Sequence, residues 1–196
     1  KLNDVAAIGS GKFISIGNLG TIIRTEGSGN TNTIIDNQYS NNLIKITKTP
    51  DGKLISVGQY GIILISSNEG ISWQKINTQF NETFMDVCFI NNSVGYIISY
   101  EGKILKTIDG GFNWTQQNNP VISNLFSISM ASENVGYISG NRGLILKTTD
   151  SGNNWQRLSP LTSVNIIKIQ AVDENNIFCL NTNDSLYKST NGGNDW

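Results

Sequence analysis

The stretch Thr148-Thr149-Asp150-Ser151-Gly152-Asn153-Asn154-Trp155 decides how this chain folds, because it recurs. The chain's only tryptophans, Trp73, Trp114, Trp155 and Trp196, stand 41 residues apart, and each closes the same octet, [ST]-x-[DN]-x-G-x-x-W. The constant members are Ser66, Asn68, Gly70 and Trp73; Thr107, Asp109, Gly111 and Trp114; Thr148, Asp150, Gly152 and Trp155; Ser189, Asn191, Gly193 and Trp196. One period earlier, Thr25 to Asn32 keeps the hydroxyl and Gly29 but neither the acid nor the indole, so it reads as a degenerate fifth copy.

The register extends beyond the octet. Gly17, Gly58, Ser99, Gly140 and Asn181 stand eight residues before the hydroxyl, and Gly20, Gly61, Gly102, Gly143 and Asp184 three residues further on. Aliphatic pairs follow, such as Ile63-Leu64, Ile104-Leu105 and Ile145-Leu146. Repeats of this length belong to solenoids, propellers or arrays. The units run approximately 1–41, 42–82, 83–123, 124–164 and 165–196.

Within one unit, Phe84–Ile90, Val94–Ser99, Lys103–Thr107 and Trp114–Gln117 are β-branched and aromatic runs separated by turn residues. Four short antiparallel strands per repeat is the blade of a β-propeller. The expected fold is all β, with five four-stranded blades of which the last, ending at Trp196, lacks its outer strand. From that incompleteness the chain is expected to belong to a longer ring, of seven blades, or to a ring completed by another chain. A stacked β-helix is the rival architecture. In each octet the acid or amide bonds nearby backbone N–H groups and Gly supplies positive φ, making a rigid turn between strands three and four whose Trp packs between sheets.

Composition excludes several functions. The 196 residues are 38% hydrophobic with a formal charge of −1, so no polybasic surface is available for nucleic acid or an anionic membrane. No run of 18 apolar residues predicts a membrane span. His is absent, removing the commonest general base and metal ligand; no metal, cofactor or catalytic residue is assigned, and Asn68 and Asn191 read as turn formers. Cys88 and Cys179 fall at different repeat phases and read as free packing thiols.

The octet resembles the Asp-box, or bacterial neuraminidase repeat, of sialidases, xyloglucan-degrading hydrolases and sortilin-type receptors. The longer string from Gly140 to Trp155, preceded by Val135-Gly136-Tyr137-Ile138-Ser139, more closely resembles the photosystem II stability and assembly factor-like propellers. That resemblance covers essentially the whole chain and implies a propeller with a binding role. The photosynthetic members carry an arginine-rich patch, whereas this chain has only Arg24, Arg142 and Arg157, at three repeat phases. Those arginines form no sialidase triad in any register.

Asp4 and Asp86 are the acids best placed for glycosidase chemistry, but their repeat phase alternates with Lys45, which reads as ion pairing between blades. Variable residues between the repeated glycines mark the recognition surface: Tyr60, Tyr100, Glu101, Arg142 and Asn183, on loops expected at the end opposite the octets. The leading reading is a non-enzymatic binding or assembly scaffold for a protein partner, in an exported or surface bacterial protein outside the cytoplasm. The alternative is a carbohydrate-active propeller, either lectin-like or a glycoside hydrolase fragment, with photosystem assembly ranked third.

Overall fold

A computed structural model describes residues 1–27 and 31–196 of the chain; Gly29 of the degenerate first copy lies outside them. The described residues fold as antiparallel strands grouped in five sheets. The first holds β1 (Leu2–Gly9), β2 (Lys12–Gly17), β3 (Ile22–Glu26) and β4 (Thr31–Ile34), and the second β5 (Leu43–Lys48), β6 (Leu54–Gly58), β7 (Ile63–Ser66) and β8 (Gln74–Lys75). The third holds β9 (Phe84–Phe89), β10 (Gly95–Ser99), β11 (Ile104–Thr107) and β12 (Thr115–Gln116). The fourth holds β13 (Leu125–Met130), β14 (Gly136–Gly140), β15 (Ile145–Thr148) and β16 (Gln156–Arg157). The last has three strands, β17 (Ile166–Ala171), β18 (Ile177–Asn181) and β19 (Leu186–Ser189). Each sheet is a simple meander, the all-β blade pattern that the 41-residue period predicts.

By packing, the chain divides into two compact units, Lys1–Gly95 with Thr107–Trp114, and Tyr96–Lys106 with Thr115–Trp196. In the first, Ile14, Ile16, Ile22, Leu43, Ile46, Leu54, Ile62 and Leu64 form a buried cluster against which Trp73 packs. In the second, Tyr137, Ile145, Ile166, Ile169, Ile177 and Cys179 play that part, with Trp196 alongside. They come from the first, second and third strands of the blades, and β6 and β7 of the second blade are buried at every position, as strands covered on both faces are.

The innermost strand carries a regular irregularity. In β1, β5, β13 and β17 the pairing slips by one residue at the same place, before Asp4, Lys45, Ser127 and Lys168. A bulge there re-aims the following side chain. Asp4 uses this to reach the next blade, where its carboxylate accepts from the Ile46 N–H at 2.9 Å and pairs with the Lys45 ammonium at 2.9 Å. The ion pairing expected from repeat phase is present for this pair. Asp86 is buried and accepts from the Val87 N–H at 3.0 Å.

The outer strands are shorter than the expected four residues. β8, β12 and β16 have two residues each, both exposed, because the preceding Trp belongs to the octet turn rather than to the ladder. Both cysteines are free thiols; Cys179 is buried and Cys88 half-buried. No helix among the described residues is long and apolar enough to cross a membrane.

Candidate functional site

The octets build one turn four times. In the third blade the Thr107 hydroxyl donates to Asp109 at 2.8 Å and accepts from the Gly111 N–H at 3.0 Å. Asp109 then accepts from the N–H groups of Phe112 and Asn113 and from the Asn113 side-chain amide at 2.7 Å. Asp150 repeats the pattern with Thr148 and Asn154, while Asn68 with Ser66 and Asn191 with Ser189 make it through an amide oxygen. Partial burial works to raise the Asp109 carboxyl, but its donors from Asn113, Thr107 and Phe112 outweigh burial and hold it below the usual carboxylate range. Hydrogen bonds from the side chain and backbone of Asn154 likewise hold Asp150 low. The indole N–H groups of Trp73, Trp114 and Trp196 close their turns on the carbonyls of Gly70, Gly111 and Gly193. The buried Trp155 indole N–H makes no such bond, and its ring stands edge-on to Tyr96 with centroids 6.5 Å apart, as that of Trp114 stands to Phe89 at 6.1 Å.

Each turn is also clasped by the blade before it. The fourth octet residue and its following glycine both have positive φ, as in Ser151 (59°) with Gly152 (75°), which turns the fourth carbonyl outward. That carbonyl receives a cation: Arg24 Nε reaches Glu69 O at 3.0 Å, Lys106 Nζ reaches Ser151 O at 2.6 Å and Lys147 Nζ reaches Gly192 O at 2.9 Å. Arg24, Lys106 and Lys147 share one position of the third strand, where the second blade has Ile65. There Lys53, from the turn between β5 and β6, reaches Gly110 O instead, at 3.4 Å. The Tyr96 hydroxyl joins Lys106 on Ser151 O at 2.6 Å, and Tyr137 joins Lys147 on Gly192 O at 3.3 Å. Burial, with Glu174 and Asp173 nearby, pushes the Tyr137 phenol up to about 12, so it remains a donor. Sequence reasoning missed this clasp, although Arg24, Lys106 and Lys147 are in register.

At the other end of the third strand, the loops thought to carry recognition fall into two classes. In the first, second and fourth blades, Leu19, Tyr60 and Arg142 each precede a positive-φ glycine and themselves have φ of 54°, 57° and 50°. The Thr21, Ile62 and Leu144 N–H groups return to Asn18, Gln59 and Asn141 carbonyls, which closes type I′ turns. The third and fifth blades make a type I turn followed by one left-handed residue, Gly102 or Asp184. The split follows the residue opening the loop: Gly17, Gly58 and Gly140 press against backbone, and a Cβ on Gly58 would meet Asn42 O at 2.0 Å. Ser99 and Asn181 instead use their side chains to accept from Lys103 and Ser185 N–H groups.

All five proposed recognition residues are exposed. Tyr60 stands at its loop apex, and the Arg142 N–H is capped by Asn165 while its guanidinium faces solvent. Tyr100 leans on Phe126 with centroids 6.1 Å apart. Asn183 donates its N–H to Asn181. Glu101 borders a concavity of about 460 Å³ with Gly102, Lys103, Gln117, Asn119 and Ile122. An equivalent concavity of about 380 Å³ lies two repeats earlier, between Leu19 to Thr21 and Ile34 to Ser40. Asn119 and Asn37 frame them identically, donating side-chain N–H to Gly102 O and Gly20 O, each at 2.6 Å. Two asparagines 82 residues apart, twice the period, were the sequence signal for this pair of hollows.

A family model described as photosynthesis system II assembly factor YCF48 matches residues 65–196. No curated protein matches the chain. Among solved structures, YCF48 bound to D1 peptide is similar over 95% of this chain and 63% of its own, with 20% identity and a TM-score of 0.76. YCF48 from Cyanidioschyzon merolae is similar over 97% of this chain and 69% of its own, at 12% identity and TM-score 0.75. A GH74 xyloglucanase from Xanthomonas campestris covers 100% of this chain with 38% of its own length, at 16% identity and TM-score 0.80. At such identities these structures establish the β-propeller fold alone. This chain thus spans less than two thirds of the peptide-bound YCF48, and the family match takes in more than half of its residues: it belongs to the photosynthesis system II assembly factor YCF48 family.

Proposed function

We propose that the protein is a non-enzymatic scaffold that holds a peptide segment of another protein on the loops joining second and third strands. One observation carries this reading. Leu19, Tyr60 and Arg142 keep large, exposed side chains at left-handed positions where a glycine costs less. A non-glycine residue there costs roughly 1–2 kcal/mol, and such strain persists where the side chain has a use. The backbone beneath is rigid, tied to the neighbouring connection by bonds such as Gly61 N–H to Glu82 O at 2.8 Å. Tyr and Arg are the residue types that dominate binding energy in protein interfaces.

The carboxylates support binding over catalysis. Asp109 and Asp150 are committed to their turns, and Asp4 to Lys45 and Ile46. A relative in the same family has been seen with a D1 peptide, which fits a peptide as the ligand class.

The test is selection from a displayed random-peptide library, then calorimetry on the selected peptide, a D1 peptide and a xyloglucan oligosaccharide. A peptide that binds with micromolar Kd and loses about tenfold or more in affinity with Tyr60→Gly or Arg142→Gly supports the reading. Peptide binding indifferent to both substitutions, or binding or cleavage of the oligosaccharide alone, overturns it.

A further inference from the structure

The clasp between blades has one exception, and it leaves a hole. In the first, third and fourth blades the long side chain of Arg24, Lys106 or Lys147 runs from the third strand to the next octet. The second blade has Ile65 there, which is buried and too short to cross. A notch of about 190 Å³ remains, lined by Lys53, Ile65, Ser67, Ser72, Trp73, Gln74 and Phe112. Ligand pockets for drug-sized molecules run to about 300–1,000 Å³, so this one has room for a single side chain.

Its lining has a definite chemistry. Ile65 makes an apolar floor, with the half-buried Trp73 and the 47%-exposed Phe112 on its sides. Ile71 and Ile108, on the same two octets, are 59% and 74% exposed. At the positions of Ile71 and Phe112 the later octets have Asn153 and Asn194, and at that of Ile108 they have Thr149 and Thr190. The turn therefore does not require apolar residues there, and only this pair of octets exposes them together. Exposed apolar surface with a polar rim marks an interaction site.

Lys53 adds a charge. Its ammonium lies 5.4 Å from the Phe112 ring centroid and makes one long hydrogen bond, at 3.4 Å, where Lys106 makes a bond of 2.6 Å. An ammonium has three donors. Among the described residues the ion pairs engage Lys12, Arg24 and Lys45 rather than Lys53, whose nearest acidic influence is on Asp51.

We propose that this notch between the octets of the second and third blades is a second binding site, which takes one apolar side chain of a partner polypeptide with a carboxylate beside it. The side chain enters between Trp73 and Phe112 onto Ile65, and the carboxylate meets Lys53. The site lies at the octet end of the blades and is independent of the strand-two to strand-three loops.

The experiment uses the full chain, isotopically labelled for two-dimensional NMR, with N-acetyl-phenylalanine, N-acetyl-phenylalaninamide and N-acetyl-Phe-Asp-amide as probes. N-acetyl-phenylalanine should shift the Trp73 indole N–H and the Ser67, Ser72 and Gln74 amides saturably, with a Kd of about a millimolar for so small a ligand. The amide, which lacks the charge, should bind several-fold more weakly. Recovery of affinity with N-acetyl-Phe-Asp-amide assigns the carboxylate to an acidic side chain, and its failure assigns it to a chain terminus. Ile65→Lys gives the second blade a basic residue where its neighbours carry Arg24 and Lys106, which should plug the notch and abolish the shifts. Phe112→Asn, which copies the later octets on an exposed position, should weaken binding at least about fivefold without unfolding the chain. Absence of saturable shifts, equal affinity for acid and amide, or binding that survives both substitutions overturns the proposal.

Discussion

The Lys106 ammonium donates to the Ser151 carbonyl across 2.6 Å, and so joins the third strand of one blade to the turn of the next. Replacing Lys106 by Met keeps much of its packing and removes the charged donor. A hydrogen bond of this kind contributes about 1–3 kcal/mol, so Lys106→Met should lower stability by about 1–2 kcal/mol. Lys106→Arg should restore most of it, since Arg24 already does the same work in the first blade. Urea midpoints of the three proteins give the comparison.

The octet hydroxyl is the second point of test. Thr107 is buried, and its oxygen is the acceptor for Gly111 N–H. Thr107→Val keeps the shape and strands that N–H, at a cost of about 1–3 kcal/mol. Thr107→Ser should be nearly silent, because Ser66 and Ser189 fill the same role in two other turns. Chemical denaturation of both variants distinguishes a hydroxyl requirement from one of shape.

Acid should loosen the turns that carry a true carboxylate. The native Asp109 and Asp150 groups are held below their ordinary value, so the unfolded chain takes up protons first as pH falls. Their contribution is present in full above the unfolded pKa, about 4, and is lost as pH drops through the lower native one. Asp109→Asn copies Asn68 and Asn191 and should cost little at pH 7 while flattening the loss of stability below about pH 4. A pH series of melting temperatures reads this directly; an unchanged acid limb in the double variant Asp109→Asn/Asp150→Asn contradicts it.

Arg142→Gly should raise stability. The guanidinium is exposed and the residue has φ of 50°, so glycine relieves roughly 1 kcal/mol of backbone strain. Gly143→Ala, one residue on, should do the opposite, because φ is +71° and a Cβ would stand 1.8 Å from Thr162 O. A loss of about 2 kcal/mol or more is expected. Thermal melts of the two variants should move in opposite directions.

Cys179 should be inert in the folded protein. Burial pushes its thiol up to about 12, which leaves almost no thiolate at neutral pH. In a Cys88→Ser background, Ellman's reagent should find no fast-reacting thiol at pH 8 until denaturant is added. Stoichiometric labelling of the native protein within seconds counts against the buried placement.

The blade was legible because its signals are local and repeated. The octets carry an acid or amide, a glycine and an indole in fixed order, and a turn of that composition has one geometry wherever it falls. The Asp4–Lys45 pair was legible for a similar reason, since equivalent positions of adjacent innermost strands lie side by side. The split between loop classes was not, because Gly58 and Ser99 look like variants of one position until backbone from the neighbouring connection is seen pressing on the glycine. The left-handed apices at Leu19, Tyr60 and Arg142 were equally hidden, since bulky residues argue against that conformation. Ile65 was visible as an outlier among basic residues, but the notch it opens depends on Lys53 arriving from the turn between β5 and β6.

The cation clasp has a consequence for how such a chain grows. Donor and acceptor in the three regular clasps, Arg24 to Glu69, Lys106 to Ser151 and Lys147 to Gly192, are each 45 residues apart. That distance exceeds the 41-residue period, so no single repeat contains both halves of the joint. A duplicated window that carries Arg24, Lys106 or Lys147 therefore brings a donor whose carbonyl lies in the unit that follows it, and the joint belongs to the array rather than to any one unit.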